Sequence, residues 1–364
     1  AVLEERISSL EGGVGSISTA SGQAALFLAI TTIGGKNAHI VASKSLYGGS
    51  HNLLEYTLPR LGIRTTFVDF RKSKEVKNAI NKKTILLFGE TLGNPGLDVM
   101  NIEMISSIAH KNKIPLLVDS TFTTPYLMKP FELGADIVFH SATKFLSGHG
   151  VVIGGLLVDS GNFDWSSSKK FKTLNESYKG FHNMNFVDEF GPAAFINRAR
   201  KEGARDFGAC MSPHTAFLIL QGLETLSLRM EKHISNTREI VNLLSAHESV
   251  KSVSYPELSN HPDHGLAKKI LPKGSGAVFT FEIKGGYSAG VKFIESLNIF
   301  SHLANVGDAK SLVIHPSSTT HHRMDKMSLK KAGITENTIR LSVGIEDIND
   351  LKDDINEALR MSSR

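Results

Sequence analysis

Lys144 closes a four-residue run, Ser141-Ala142-Thr143-Lys144, in which two hydroxyls one residue apart precede an amine. That set suits a ligand carrying both a phosphate for the hydroxyls and an aldehyde for the amine to join. An ordinary lysine titrates near ~10.4 and is protonated at neutral pH, so a reactive one needs desolvation or a neighbouring positive charge. Taken alone, Lys144 reads more often as a surface lysine at a strand end. A second set, Val118-Asp119-Ser120-Thr121, follows the apolar run Pro115-Leu116-Leu117. A carboxylate there sits deep and must find a cation or donors, because an unpaired buried charge is costly.

A protonated pyridine nitrogen would answer that need. Pyridoxal 5′-phosphate (PLP) works as an electron sink when its ring nitrogen stays protonated, and an Asp is the usual partner. Read by itself, Asp119 is about as well explained as the cap of the following turn. In Thr19-Ala20-Ser21-Gly22-Gln23-Ala24-Ala25, Ser21 suits an N-cap and Gly22 lets an anion approach the backbone. A helix N-terminus offers free N–H groups with partial positive charge, hence a phosphate cup, although a plain capped helix is the better single reading. Tyr47, in Leu46-Tyr47-Gly48-Gly49, has a ring that could stack on a flat heterocycle or move a proton. Asn94, in Glu90-Thr91-Leu92-Gly93-Asn94-Pro95, could bond a ring substituent. Each signal is weak alone; together they fall at successive strand ends and converge on one sheet edge.

The elements that must position these residues are short β-rich runs at 39–43, 65–69, 84–90, 116–120, 136–141 and 151–158. Helical stretches lie between them, such as 101–111, where Asn101 can cap and Ile102, Ile105, Ile108 and Ala109 share one face. Alternating strands and helices predict a mostly parallel α/β sheet sandwiched by helices, with ligands at the carboxyl ends of strands. Residues 162–190 turn polar and read as an excursion or loop. A long helical pattern covers 213–246, and strands near 277–283 and 339–343 with helices near 289–297 and 348–361 suggest a smaller C-terminal α+β domain. We place the boundary between 1–226 and 227–364.

The 364 residues carry 41 Lys+Arg against 36 Asp+Glu, and the basic residues meet few aromatics, so no nucleic-acid partner is expected. The single cysteine, Cys210, excludes an intramolecular disulfide and a thiolate metal cluster, and fits a reducing cytoplasm. No apolar run approaches the ~20 residues needed to span a bilayer, so no membrane partner is expected. No metal site is expected either. Val2, Leu3, Ile7 and Leu10 recur at helical spacing from the first residues, so the chain is expected to begin inside a helix.

Ser-Ala-Thr-Lys-Phe-Leu-Ser-Gly-His-Gly (141–150), Val-Asp-Ser-Thr-Phe (118–122), Ala-Ser-Gly-Gln-Ala-Ala (20–25), Leu-Tyr-Gly-Gly (46–49) and Glu-Thr-Leu-Gly-Asn-Pro (90–95), in this order, resemble the Cys/Met-metabolism family of PLP enzymes of fold type I. Residues 304–316 and 339–346 extend the resemblance over essentially the whole chain, and 165–190 is most similar to the O-acetylhomoserine sulfhydrylases. The resemblance implies Lys144 as Schiff-base lysine and proton shuttle, Asp119 on the pyridine nitrogen, and Tyr47 on the ring face with a part in proton transfer. It implies Gly22, Gln23, Ser141 and Thr143 at the phosphate, Asn94 facing ring oxygen and substrate, and Thr121 on the other ring face. Arg340 would clamp the substrate carboxylate, which a guanidinium grips with two parallel bonds, and Ser311 would help position it.

The activity implied is γ-replacement on O-acetyl-L-homoserine by sulfide or a small thiol, giving homocysteine or methionine. Sibling γ-lyases acting on methionine or cystathionine share every cofactor residue named, and a non-catalytic scaffold is a more distant alternative. A homo-oligomer, a tetramer of two close dimers, is expected. The family carries a Tyr-x-Arg motif, placed just before this chain's first residue, whose arginine reaches a neighbouring subunit's phosphate. Ser120 and Ser50 stand where relatives often carry Asn and Thr.

Overall fold

A computed structural model describes residues 1–94, 96–319 and 335–363. They divide into two compact units whose chain segments interleave: Ala1–Thr91, Met100–Thr143 and Val152–Gln221 in one, Leu92–Val99, Lys144–Val151 and Gly222–Arg364 in the other. Among the described residues no helix is long and apolar enough to cross a membrane.

The first unit is built on β1 (Gly15–Thr19), β2 (His39–Ser43), β3 (Arg64–Val68), β4 (Thr84–Glu90), β5 (Leu116–Asp119), β6 (Ile137–Ser141) and β7 (Gly155–Asp159). They lie in the order β1-β7-β6-β5-β4-β2-β3. The pairs from β3 across to β6 are parallel, and β7 runs antiparallel to both neighbours. Every residue of β2, β4 and β7 is buried, as near-continuous apolar strands covered on both faces must be. At the sheet edge β3, with sequence Arg-Thr-Thr-Phe-Val, keeps exposed positions. Helix α1 (Val2–Glu11) contacts β1 and β7, and α2 (Gly22–Ile33) contacts β6 and β7.

Two expectations are corrected here. Residues 162–190 are not a loop: short helices bury Phe163, Trp165, Phe171 and Phe186, and the Trp165 ring stacks on Phe195 at 5.3 Å. Irregularly spaced aromatics hold this segment, so its polar composition and weak periodicity misled. The 213–246 pattern is two helices, Pro213–Glu224 and Leu226–Ala246. Their break at Thr225 has a local cause, since the Gly222 carbonyl accepts from the Arg229 guanidinium at 2.6 Å and from the Thr225 amide at 3.3 Å.

The second unit contains a five-stranded sheet in the order β10-β11-β12-β9-β8, from β8 (Val250–Ser254), β9 (Val278–Ile283), β10 (Ser301–His302), β11 (Leu312–Ile314) and β12 (Thr338–Ser342). Apart from β10 and β11 its pairs are antiparallel. The helices Gly286–Ser296 and Ile348–Ser362 pack on each other in the same unit.

Candidate active site

In the first unit the candidate anion- and ring-binding residues lie at or just beyond strand ends. Ser21 caps α2, its hydroxyl accepting from the Ala24 amide at 3.1 Å. The earlier amides of that first turn, Gly22 and Gln23, have no intrahelical acceptor by geometry and face whatever sits at the helix end. Gly22 lies so close to the end of β6 that a Cβ there would stand 2.8 Å from the Ser141 Cβ, so helix N-terminus and Ser141 share one cradle. The Gln23 amide group donates to Ser50 at 3.1 Å. Thr143 Oγ1 donates to the Gly154 carbonyl at 3.3 Å and accepts from the Gly154 amide at 3.1 Å.

Asp119 closes β5. Its Oδ1 accepts from the Thr121 amide at 2.9 Å and the Thr121 hydroxyl at 2.5 Å. Thr121 Oγ1 also accepts from the Ser141 amide at 2.9 Å, which ties the end of β5 to the end of β6. Among the described residues none bonds Oδ2. Although part of the residue's surface is open, burial pushes the carboxyl above the usual carboxylate range, opposed by the Thr121 bonds and the charge of the His140 ring. Tyr47 leads a short helix, half-exposed, with its amide donating to Glu90 Oε1 at 2.5 Å. Glu90 stands opposite Asp119 in the β4–β5 register.

In the second unit, Lys144 Nζ donates to Asn305 Oδ1. The Asn305 carbonyl accepts from Arg340 Nη2 at 3.4 Å, and Arg340 Nη1 donates to Asn94 Oδ1 at 3.2 Å. Burial first, and the Arg340 guanidinium second, pull the Lys144 amine down to about 8. Buried Arg340 sits on β12 between Thr280 of β9 and Ile314 of β11. Ser311 is wholly buried, its hydroxyl donating to Glu346 at 2.9 Å and accepting from the Gly344 amide at 2.8 Å.

The structure thus joins Lys144, Asn94 and Arg340 through Asn305, and Gly22, Asp119, Thr121 and Ser141 through direct contacts. Asn305 falls inside the 304–316 stretch of the resemblance, and sequence reasoning gave it no role. It also passed over Arg229, whose guanidinium donates to the Phe145 carbonyl at 2.8 Å and the Leu146 carbonyl at 3.5 Å, holding the residues after Lys144. The one signal for Arg229 is indirect: Gly148 has φ of +73°, and a Cβ there would strike that guanidinium.

The model of the Cys/Met metabolism PLP-dependent enzymes matches residues 1–360. The chain belongs to this family. It is 47% identical to the O-acetyl-L-homoserine sulfhydrylase of Leptospira meyeri, over 99% of this chain and 83% of the relative. It is 46% identical to the homocysteine synthase of Schizosaccharomyces pombe, over 99% and 85%. A Campylobacter jejuni structure, described as a putative O-acetylhomoserine (thiol)-lyase bearing a pyridoxyl-lysine phosphate, superposes with a TM-score of 0.96 at 36% identity, covering 99% of this chain and 86% of that one. The cystathionine γ-lyase of Lactobacillus plantarum, complexed with L-serine, gives 0.85 at 30%, with the same coverage.

For this family of PLP-dependent enzymes the residues present fit the cofactor. The Gly22–Ser141 cradle at a helix N-terminus suits a phosphate, Asp119 Oδ2 is open to an N–H cation, and Lys144 is an amine depressed toward its neutral form.

Proposed function

We propose that this enzyme catalyses γ-replacement: acetate leaves Cγ of O-acetyl-L-homoserine, and sulfide or a small thiol takes its place to give homocysteine or methionine. The observation that carries the reading is the Lys144–Asn305–Arg340 link. An α-amino acid bears its carboxylate one bond from the carbon whose proton must leave. A base and a guanidinium bridged through one residue match that spacing of tasks. The choice of acetylated homoserine and sulfide rests on the relatives' names and their near-complete coverage.

Gly22, Gln23, Ser141 and Thr143 would hold the phosphate of PLP, Asp119 would pair with the pyridine nitrogen, Thr121 and Tyr47 would flank the ring, and Lys144 would be the amine that meets the aldehyde. Bound PLP supplies the electron sink that stabilises negative charge at the substrate Cα. Lys144 Nζ takes the α-proton, for which an amine near 8 is better suited than one near 10.5. Loss of a β-proton, with Tyr47 as second proton carrier, then lets acetate depart from Cγ. Arg340 grips the carboxylate and Asn94 orients the guanidinium through Oδ1. Ser311, with its hydroxyl committed to Glu346 and Gly344, acts by fixing the backbone beside β11. Asn305 parks the Lys144 amine near Arg340.

A cytoplasmic homotetramer of two close dimers completes the proposal, supported by the lone exposed Cys210 and by the prevalence of closed symmetric assemblies among enzymes. The second reading is a γ-lyase, favoured by the likeness to the Lactobacillus enzyme. A substrate panel separates them: O-acetylhomoserine with sulfide should turn over far faster than methionine or cystathionine alone, and the reverse order would overturn the assignment.

A further inference from the structure

Lys144 begins a single turn: its carbonyl accepts from the Gly148 amide at 2.8 Å and from the Ser147 hydroxyl at 3.3 Å. A turn that does not continue leaves its later carbonyls in need of donors, and here they belong to Phe145 and Leu146. Arg229, on the helix Leu226–Ala246, takes both, at 2.8 Å through Nη1 and 3.5 Å through Nη2. The same guanidinium donates to the Gly222 carbonyl at 2.6 Å and, through Nε, to the Thr225 hydroxyl at 3.1 Å. All four acceptors are neutral. Arg229 is buried, burial pulls its charge below the ordinary titration range, and no carboxylate among the described residues offsets that cost.

Capping the helix break at Thr225 accounts for two of the four bonds. The other two reach back 84 and 83 positions to the residues that follow Lys144. Gly222 lets the pieces meet closely, since a Cβ there would stand 2.3 Å from the Ser147 carbonyl oxygen and 2.5 Å from that of Leu146. On the other side the Ala309 amide, four residues after Asn305, donates to the Gly148 carbonyl at 2.8 Å. The turn is therefore held between the helix break and the segment that supplies the acceptor of Lys144 Nζ.

We propose that Arg229 is a positioning residue for Lys144: its guanidinium locks the turn that carries the lysine, so that Nζ stays in its buried seat beside Asn305 and Arg340. The inference rests on the reading that Lys144 carries the cofactor. A guanidinium suits the task because its planar fork aims several donors in fixed directions, whereas an ammonium is one point of charge on a flexible stem. Arg229 acts through backbone carbonyls and not on the reacting atoms. Without it the turn loosens, and Nζ leaves the burial and the Arg340 field that together favour its neutral form.

The test compares Arg229→Lys, which keeps the charge and loses the fork, with Thr225→Val, which removes only the bond at the helix break. The rate at which apoenzyme captures PLP is followed against pH, and kcat and KM are measured on the holoenzyme. Arg229→Lys should move the capture midpoint above 8 and lower kcat by about 10- to 100-fold, since a misplacement of about 1 Å can cost that much. KM for the amino acid should stay near wild type, because Arg340 keeps its place on β12. Thr225→Val should lower the melting temperature alone. A lower melting temperature in Arg229→Lys with wild-type capture and kcat overturns the proposal, as do equal losses of capture and kcat in Thr225→Val. Borohydride reduction of wild type keeps the two readings apart: a pyridoxyl mark on Lys144 with unchanged capture in Arg229→Lys sinks this proposal alone, and a mark on another lysine sinks the Lys144 reading with it. If Arg229→Lys does not fold, Gly148→Ala takes its place, because the three atoms its methyl would meet first all belong to that guanidinium; the same capture and kcat outcomes decide.

Discussion

An apoenzyme captures PLP only through a neutral lysine, so the depressed Lys144 amine fixes how capture varies with pH. With the amine near 8, roughly a quarter of the protein is reactive at pH 7.5, against about one part in a thousand for a lysine at 10.5, an advantage on the order of 200-fold. Burial is the larger cause and the Arg340 guanidinium the second, so Arg340→Gln should shift the profile toward higher pH without restoring the ordinary value. The assay is stopped-flow growth of the visible band when apoenzyme meets PLP between pH 6.5 and 9.5. The rate should rise with pH as a one-proton curve with its midpoint near 8 and level off by about pH 9 to 9.5. A rate still climbing past pH 9.5 would refute the reasoning. The same group affects folding. Between about 8 and 10.5 the unfolded chain binds the proton that the folded apoenzyme has released, so Lys144's contribution raises apoenzyme stability with pH across that window. The full cost, on the order of 3 kcal/mol, is present below it.

Arg340→Ala should raise KM for the amino acid with little change in PLP affinity, and a lost charge-assisted pair costs roughly 2–5 kcal/mol; equal KM values would contradict the carboxylate role. Asn305→Ala removes the acceptor for Lys144, a bond to a charged group worth ~1.5–3 kcal/mol, so kcat should fall by about tenfold or more at unchanged cofactor content; wild-type kcat would rule the tether out. Gly148→Ala forces a side chain into a left-handed backbone and against Arg229, and thermal unfolding should register a loss of ~1–3 kcal/mol or more, with an unchanged melting temperature as the opposing result.

The buried strands were legible because they must be. β2 and β4 are apolar runs with polar flanks, and their observed limits coincide with the expected ones. β1 was not legible: Gly-Ser-Ile-Ser-Thr has little apolar content and exists because β7 pairs with all five residues. The expected strand at 151–158 starts at Gly155 instead, since Val151 and Ile153 are apolar yet exposed, 62% and 68%. Candidate site residues announced themselves by type at strand ends, whereas Asn305 and Arg229 act through bonds to carbonyls and an amine far away in sequence. Hydropathy and periodicity carry no trace of such bonds. The pairing of Glu11 with His140 spans 129 positions and was equally invisible.

The central claim is that Lys144 carries the cofactor. Borohydride reduction of the holoenzyme followed by peptide mass mapping tests it directly, because reduction makes the lysine linkage permanent. The account predicts the pyridoxyl phosphate mass on the peptide containing Lys144 and its absence after Lys144→Ala. A pyridoxyl mark on any other lysine, or none on a yellow, active enzyme, would contradict it.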